Sequence, residues 1–316
     1  MKLIRRNYQL EDDYWRIRAF LRDVMQANGR REFSRHVARL DYWRWHVNEN
    51  IEHMRLENVV FIWEDPLGRI AAVLNPEGKA DIHLQVRPGL RSPQLEKKMI
   101  LTAEECLAEA GEDGRRKLLI WADARNELRQ SILSQRGYIK QTWPEYQRRR
   151  SLDLEIPDIN PAPGYTVRAL GETDELPDRS WASWRAFHPN EPDERYQGWD
   201  WYHNIQRMPL YRRDLDMVGV APDGKIASFC TIWYDDVTRT AYFEPVGTVP
   251  EHQRRGLGKA VMLEGLRRLK RLGCDLAFVG SYSERAGALY ASVGFCEYDL
   301  SEPWEKEWTI QPARSR

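Results

Sequence analysis

Apolar and polar positions along this chain alternate between the period of a strand and the period of a helix, most clearly between Tyr242 and Lys259. Tyr242, Phe243, Val246, Thr248 and Val249 have strand chemistry, and Pro250 turns the chain. Beyond Gly258, Met262, Leu266, Leu269 and Leu272 recur at helical spacing up to a stop at Gly273. The same reading gives the first half a strand at Lys2 to Arg6, a helix near Asp12 to Met25 and a helical stretch at Ser34 to Glu57. Strands follow at Val59 to Trp63, Ile70 to Leu74 and Asp81 to Val86, then a helix at Gln94 to Ala110, a strand at Leu118 to Trp121 and a helix at Glu127 to Gln135. The second half repeats the order: a strand at Tyr165 to Arg168, helices near Pro177 to Phe187 and Trp199 to Met208, and a hairpin through Pro222-Asp223-Gly224. The Tyr242 stretch comes next, then a strand at Asp275 to Val279 and a helix at Glu284 to Val293.

The repetition extends to individual residues. Trp43, Trp45 and Asn48 recur as Trp199, Trp201 and Asn204, and Pro66 to Ala71 as Pro222 to Ala227, both at an offset of about 156 residues. The segment Asn126 to Tyr138 lines up with Ser283 to Phe295 at about 157. Three registers that agree over such a distance indicate a tandem duplication of one α/β unit. The expected domains are residues 1–155 and 165–316, joined by 156–164 (IPDINPAPG), whose three prolines favour an extended, poorly packed path.

Between strand and helix, Gln253-Arg254-Arg255-Gly256-Leu257-Gly258-Lys259 is a basic loop punctuated by glycine. Glycines let backbone N–H groups approach an anion, and a helix N-terminus adds unpaired donors and the positive end of its dipole. The stretch is suited to phosphate. Gly256-Leu257-Gly258-Lys259 looks like part of a nucleotide-triphosphate loop, but Gln253 stands at its first glycine and Ala260 at its hydroxyl position, which excludes that reading.

Composition bounds the remaining possibilities. The 316 residues carry no formal net charge, yet residues 1–150 hold 28 Lys and Arg against 22 Asp and Glu, and residues 151–316 hold 20 against 26. A nucleic-acid binder is usually more basic, and Arg148-Arg149-Arg150 reads as a solvated run. No apolar run reaches the roughly 20 residues that span a bilayer, and the first residues lack a secretory pattern. Four scattered cysteines without a CxxC argue against a disulfide framework, and none of the seven histidines has the spacing of a metal ligand set. A cytoplasmic protein that needs no metal and binds neither membrane nor nucleic acid is expected; the sequence does not give its oligomeric state.

Val249-Pro250-Glu251, the loop Gln253 to Gly258, and the later Ala286, Leu289, Tyr290, Gly294 and Phe295 resemble, in order and context, the GNAT superfamily of N-acetyltransferases. The resemblance covers essentially all of the second half. It implies two tandem domains, each a mixed, mostly antiparallel sheet flanked by helices with an acetyl-CoA cleft between splayed strands. It also implies direct transfer of an acetyl group from acetyl-CoA to an amine. The loop residues Gln253, Arg254, Arg255, Gly256, Leu257, Gly258 and Lys259 would hold the diphosphate, and Thr248 and Val249 would lie along the pantetheine arm. Ser283 stands where the family often has Asn.

Tyr290 matches the family's acid position, and a phenol is protonated at neutral pH. Glu244 is the candidate base, directly or through water, because it alternates with Val246 and Thr248 on one face of the strand. Each residue also has a plainer reading, Tyr290 as a packed ring and Glu244 as a solvated carboxylate. A backbone N–H near Thr248 or Val249 would polarise the thioester carbonyl, and Pro245, with no N–H, predicts a bulge or splay. The first half has Pro93 in its loop and Leu133 at the tyrosine position, so it reads as a degenerate copy, with Arg91 and Asn126 leaving some anion binding open. The tryptophans near Trp199, with Asp200 and Asp235, suggest a pocket for a cationic small-molecule or peptidic amine. The alternative is a non-catalytic acyl-CoA sensing module.

Overall fold

The computed structural model describes residues 2–31, 35–112 and 114–309. In chain order the first half contains β1 (Ile4–Asn7), α1 (Glu11–Ala27), α2 (Val37–Tyr42), α3 (Leu56–Val59), β2 (Phe61–Glu64), β3 (Ile70–Gly78), β4 (Asp81–Val86) and α4 (Pro93–Cys106). It continues with the short β5 (Glu109–Ala110), β6 (Arg115–Asp123), α5 (Glu127–Gln135), the short β7 (Ile139–Lys140) and β8 (Glu145–Ser151). The second half contains β9 (Thr166–Ala169), α6 (Leu176–Phe187), α7 (Tyr202–Gln206), β10 (Asp216–Val220), β11 (Ile226–Asp235), β12 (Thr240–Thr248), α8 (Leu257–Arg271), β13 (Leu276–Ser281), α9 (Glu284–Ser292) and β14 (Glu297–Thr309). No helix of the described residues is long and apolar enough to cross a membrane.

The chain forms two compact units. One takes the residues up to Glu145 together with those from Asp299 onward, and the other runs from Tyr146 to Tyr298. Each has the same sheet. In the first, β1, β2, β3 and β4 are antiparallel, β4 runs parallel to β6, and β14 closes the edge antiparallel to β6. In the second, β9, β10, β11 and β12 are antiparallel, β12 runs parallel to β13, and β8 closes the edge. The last strand of each sheet thus lies in the half of the sequence opposite to the rest of its unit, and residues 156–164 belong wholly to the second unit. The parallel step in each sheet is bridged by an amphipathic helix, α4 or α8, as a parallel connection requires.

The core of the second unit is an apolar layer between sheet and helices. Met217, Cys230, Ile232 and Phe243 from the strands meet Val261, Met262, Leu266 and Leu269 of α8 and Phe295 beyond α9. The first unit packs Leu74, Ile82, Leu84 and Ile120 against Met99, Ile100 and Ala103 of α4 in the same manner.

Three local readings are corrected. The helix expected from Ser34, a residue outside those described, to Glu57 is α2 continued by a wider π-wound segment, Trp43–Glu52, which ends at His53 in a left-handed conformation. Asn48 explains the break: its side chain accepts from Met54 N and donates to Met54 O, so it closes the loop that ends the segment. The helix expected over Trp199 to Met208 shrinks to the five residues of α7. Residues 156–164 are not poorly packed, because Ile156 and Ile159 lie on the core and Ala162 packs with Tyr165 and Leu257.

Candidate active site

β12 and β13 pair only over Thr240 to Tyr242 and Leu276 to Phe278, then part. The cause is local. Cys230 faces Val246 while Ile232 faces Phe243, so β12 carries one extra residue at Glu244–Pro245, a bulge that turns it away from its neighbour. Proline has no N–H to give to a ladder there. The parted strands open a cleft of about 870 Å³, lined by Val246 to Thr248, the loop after them, the start of α8, and Ser283 to Tyr290 of α9. Ala186 and Phe187, at the end of α6, form its outer edge.

The floor of the cleft is built to receive an anion. Arg254 and Gly256, both lining the cleft, adopt left-handed backbone conformations, the type of turn from which anion-binding concavities are made. Gly256 caps α8 without a side-chain acceptor, and no acidic residue occupies the first turn, so the helix's first N–H groups stay unspent. A Cβ on Gly258 would stand 3.2 Å from Leu289 Cδ2 and 3.5 Å from Thr248 Oγ1, so the backbone comes as close to the opposite wall as a bare Cα allows. Gln253 donates to Thr248 O at 3.0 Å and accepts from Arg285, which fixes the loop to both walls.

A scan against family models matches residues 174–295 to the acetyltransferase (GNAT) family. Mycothiol acetyltransferases from Arthrobacter sp. (strain FB24) and Paenarthrobacter aurescens (strain TC1) are 25% and 23% identical, each over 75% of this chain and 73% of theirs. A GCN5-related N-acetyltransferase from Sphaerobacter thermophilus superposes with a TM-score of 0.66 at 18% identity, over 99% of this chain and 98% of that one. A tandem GNAT protein from the clavulanic acid biosynthesis pathway gives 0.66 at 14% identity, over 98% and 100%. The chain is similar to GNAT acetyltransferases, and the segment that matches the family lies within its second unit.

Within the matched segment, Tyr290 is 7% exposed and lines the cleft. Burial raises its pKa, the carboxylate of Glu244 adds to the rise, and Arg148 works against it. The phenol therefore keeps its proton across neutral pH. Among the described residues its hydroxyl makes no hydrogen bond, so it is available to a ligand. Glu244 is half-buried on the bulge, its carbonyl receives Trp233 Nε1, and its carboxylate is felt by Tyr290, but it is not among the cleft-lining residues. Val249 N donates to Ala227 O at 2.9 Å, which removes it as a carbonyl donor. By the alternation of a strand, the Thr248 N–H then points to the opposite edge, where β13 has parted.

Ser283 lines the cleft, and its hydroxyl caps α9 by accepting from Ala286 N. Lys259 and Arg254 line the cleft, whereas Arg255 lies 5.8 Å over the ring of Tyr165. Asp235 is elsewhere. Fully buried in the β11–β12 turn, it accepts from Thr238 N and Oγ1 and sits opposite Thr240, roughly 20 Å along the strand from Val246 at 3.3 Å a residue. Trp199 rests against His203, and Asp200 is exposed near Tyr196, whose ring meets Trp181 and Trp184 at 5.1 and 5.7 Å. Neither Trp199 nor Asp200 lines the cleft.

The Arg148-Arg149-Arg150 run is spent internally rather than solvated. Arg148 reaches Ser281 Oγ and Phe295 O, Arg149 pairs with Glu297, and Arg150 donates to Val293 O, Leu154 O and Glu155 O. Sequence reading missed Phe187, Arg285 and His252 as cleft residues. Only Arg285, two places after Ser283 at a helix start, carried a signal.

The first unit has the same splay, since β4 and β6 pair only at Asp81 and Ile82, but its site is filled. Ser92 Oγ caps α4, Pro93 removes an amide, and Leu133 is fully buried. Asn126 is spent on Arg129 N, and burial beside Arg129 lowers Arg91 to about 10. Over the parted strand, Arg35 bonds His83, Gln85 and Glu145 in a buried ion cluster that Arg39 and Glu77 complete.

Proposed function

We propose that the second unit moves an acetyl group from acetyl-CoA directly to a primary amine of a small-molecule or peptidic acceptor, and that the first unit is a degenerate copy kept as scaffold. The observation that carries this is the conjunction, in one unit only, of an uncapped helix start, parted strands and a buried tyrosine whose hydroxyl makes no hydrogen bond among the described residues. The coenzyme supplies an activated acetyl thioester. Gln253 to Lys259 hold its diphosphate through amides and cations, and the Thr248 N–H polarises the carbonyl as it gains charge. Glu244 takes a proton from the amine, directly or through water, so that a neutral nitrogen attacks. The new C–N bond forms as the C–S bond breaks. Tyr290 hydrogen-bonds the departing sulfur; its raised pKa keeps the phenol protonated and makes it a reluctant acid, so the thiolate can leave as such or take a proton from solvent.

The acceptor's side of the cleft is the end of α6. Phe187 is 54% exposed there, and Trp181, Trp184 and Tyr196 form a half-exposed aromatic surface beside Asp178 and Asp200, which suits a cationic amine. The relatives named mycothiol acetyltransferase support this reading. An amine panel with acetyl-CoA, read by thiol release, tests the proposal; acceptor-independent release, or none with any amine, would count against it.

A further inference from the structure

The segment that its prolines mark as a linker runs along α8 to the coenzyme loop. Arg267 donates to Pro157 O at 3.1 Å and to Asp158 Oδ1 at 3.0 Å, and Asn160 O lies 4.0 Å from the place of a Cβ on Gly256. At its end stands Tyr165, buried, with its hydroxyl 2.9 Å from Nδ1 of His252. His252 closes the 3₁₀ turn Pro250–His252 just before the loop, and it lines the cleft.

We propose that His252 is a further ligand of the coenzyme, donating from Nε2–H to its diphosphate, and that Tyr165 is the positioning residue that selects this tautomer. The proposal rests on the acetyl-CoA reading above. A neutral imidazole has one donor and one acceptor nitrogen, and the bond made by one fixes the role of the other. When the Tyr165 hydroxyl donates to Nδ1, the ring proton resides on Nε2. Among the described residues Nε2 makes no hydrogen bond, so its donor is kept for something outside the chain. A diphosphate only accepts. The reverse arrangement, Nδ1–H donating to the tyrosine oxygen, would turn a lone pair toward the anion, and binding of the coenzyme therefore favours the first. The edge-on contact of the two rings, with centroids 5.8 Å apart, and Arg255 over the face of Tyr165 hold the pair in place.

The test is calorimetric titration of the full chain with CoA and with dephospho-CoA, for wild type, His252→Asn, His252→Gln and Tyr165→Phe, alongside thermal melts without ligand. Losing one charge-assisted hydrogen bond weakens binding by about tenfold, the loss expected for His252→Asn with both ligands. Glutamine places an amide N–H where Nε2 stood, so His252→Gln stays within about threefold of wild type. Tyr165→Phe weakens both ligands by about threefold to tenfold with an unchanged melt, because only the choice of tautomer is lost. Wild-type affinity in His252→Asn, a loss seen with CoA but not with dephospho-CoA, or equal losses in the Asn and Gln variants would each overturn the proposal. Wild-type protein that binds no CoA at all would instead sink the acetyl-CoA reading.

Discussion

Replacing Gly258 by alanine separates coenzyme affinity from stability. The position lies in the first turn of α8, where alanine is favoured over glycine by about 1 kcal/mol. Against that gain, the new Cβ stands 3.2 Å from Leu289 Cδ2, which must give by a few tenths of an ångström. Leu289 is a flexible side chain on the wall of the cleft, so its retreat costs a similar amount, and the melting temperature should stay within about 2 °C of wild type. Affinity behaves differently. The methyl narrows the cleft between Thr248 and Leu289, where the proposed acetyl-CoA site lies. We expect the dissociation constant for acetyl-CoA to rise by about tenfold or more, equivalent to about 1.4 kcal/mol. Thermal denaturation without ligand and calorimetric titration with it read the two effects apart. An unchanged dissociation constant together with an unchanged melt would show that the coenzyme does not lie against Gly258.

Three further perturbations have defined outcomes. Asp81 in the first unit is raised to about 6 by burial and by Glu77, so its ionisation costs folding free energy as pH rises from about 4 to 6. Asp81→Asn should therefore be more stable than wild type above pH 6 by about 1 kcal/mol after solvent screening, with no difference at pH 4, as read by urea melts. Arg150→Met strands the carbonyls of Val293, Leu154 and Glu155, and should cost about 2 to 3 kcal/mol in chemical denaturation without altering nucleic-acid binding. Asp235→Ala breaks the turn bonds to Thr238 and should lower stability by about 1 to 2 kcal/mol while leaving the apparent KM for an acceptor unchanged.

What the sequence disclosed depended on whether the signal was local. The loop from Gln253 to Gly258, the Pro245 bulge and Tyr290 are legible because glycine, proline and helix-start chemistry act within a few residues of themselves. The differences at the corresponding positions of the first unit are legible for the same reason, through Pro93 and Leu133. The edge strands were not. β8 reads Glu-Tyr-Gln-Arg-Arg-Arg-Ser and looks like a charged run until it is seen to bury Glu145 and Gln147 on one face and Arg150 on the other. β14 lies beyond the last element the periodicity marks, yet from Ser301 it pairs register by register with β6. Long-range pairing of polar strands leaves no periodic apolar mark, and the repeat offset assigns strands by sequence rather than by partner. Asp235 misled because a carboxylate near tryptophans resembles a cation pocket, whereas its neighbours Thr238 and Thr240 turn it into a turn-holding group. The Tyr165–His252 contact joins residues 87 apart, and no spacing announces it.

The central claim, that one cleft in the second unit carries direct acetyl transfer assisted by a buried phenol, is tested most directly by comparing wild type with Tyr290→Phe. An amine accepted by wild type is identified first, and thiol release from acetyl-CoA is then followed for both proteins. Tyr290 has no hydrogen-bond partner among the described residues, so removing its hydroxyl should leave the melting temperature and coenzyme affinity nearly unchanged. The account predicts that kcat falls by about a hundredfold, the lower end of what losing one hydrogen-bond donor to a developing negative charge costs. A variant that transfers acetyl as fast as wild type would contradict it.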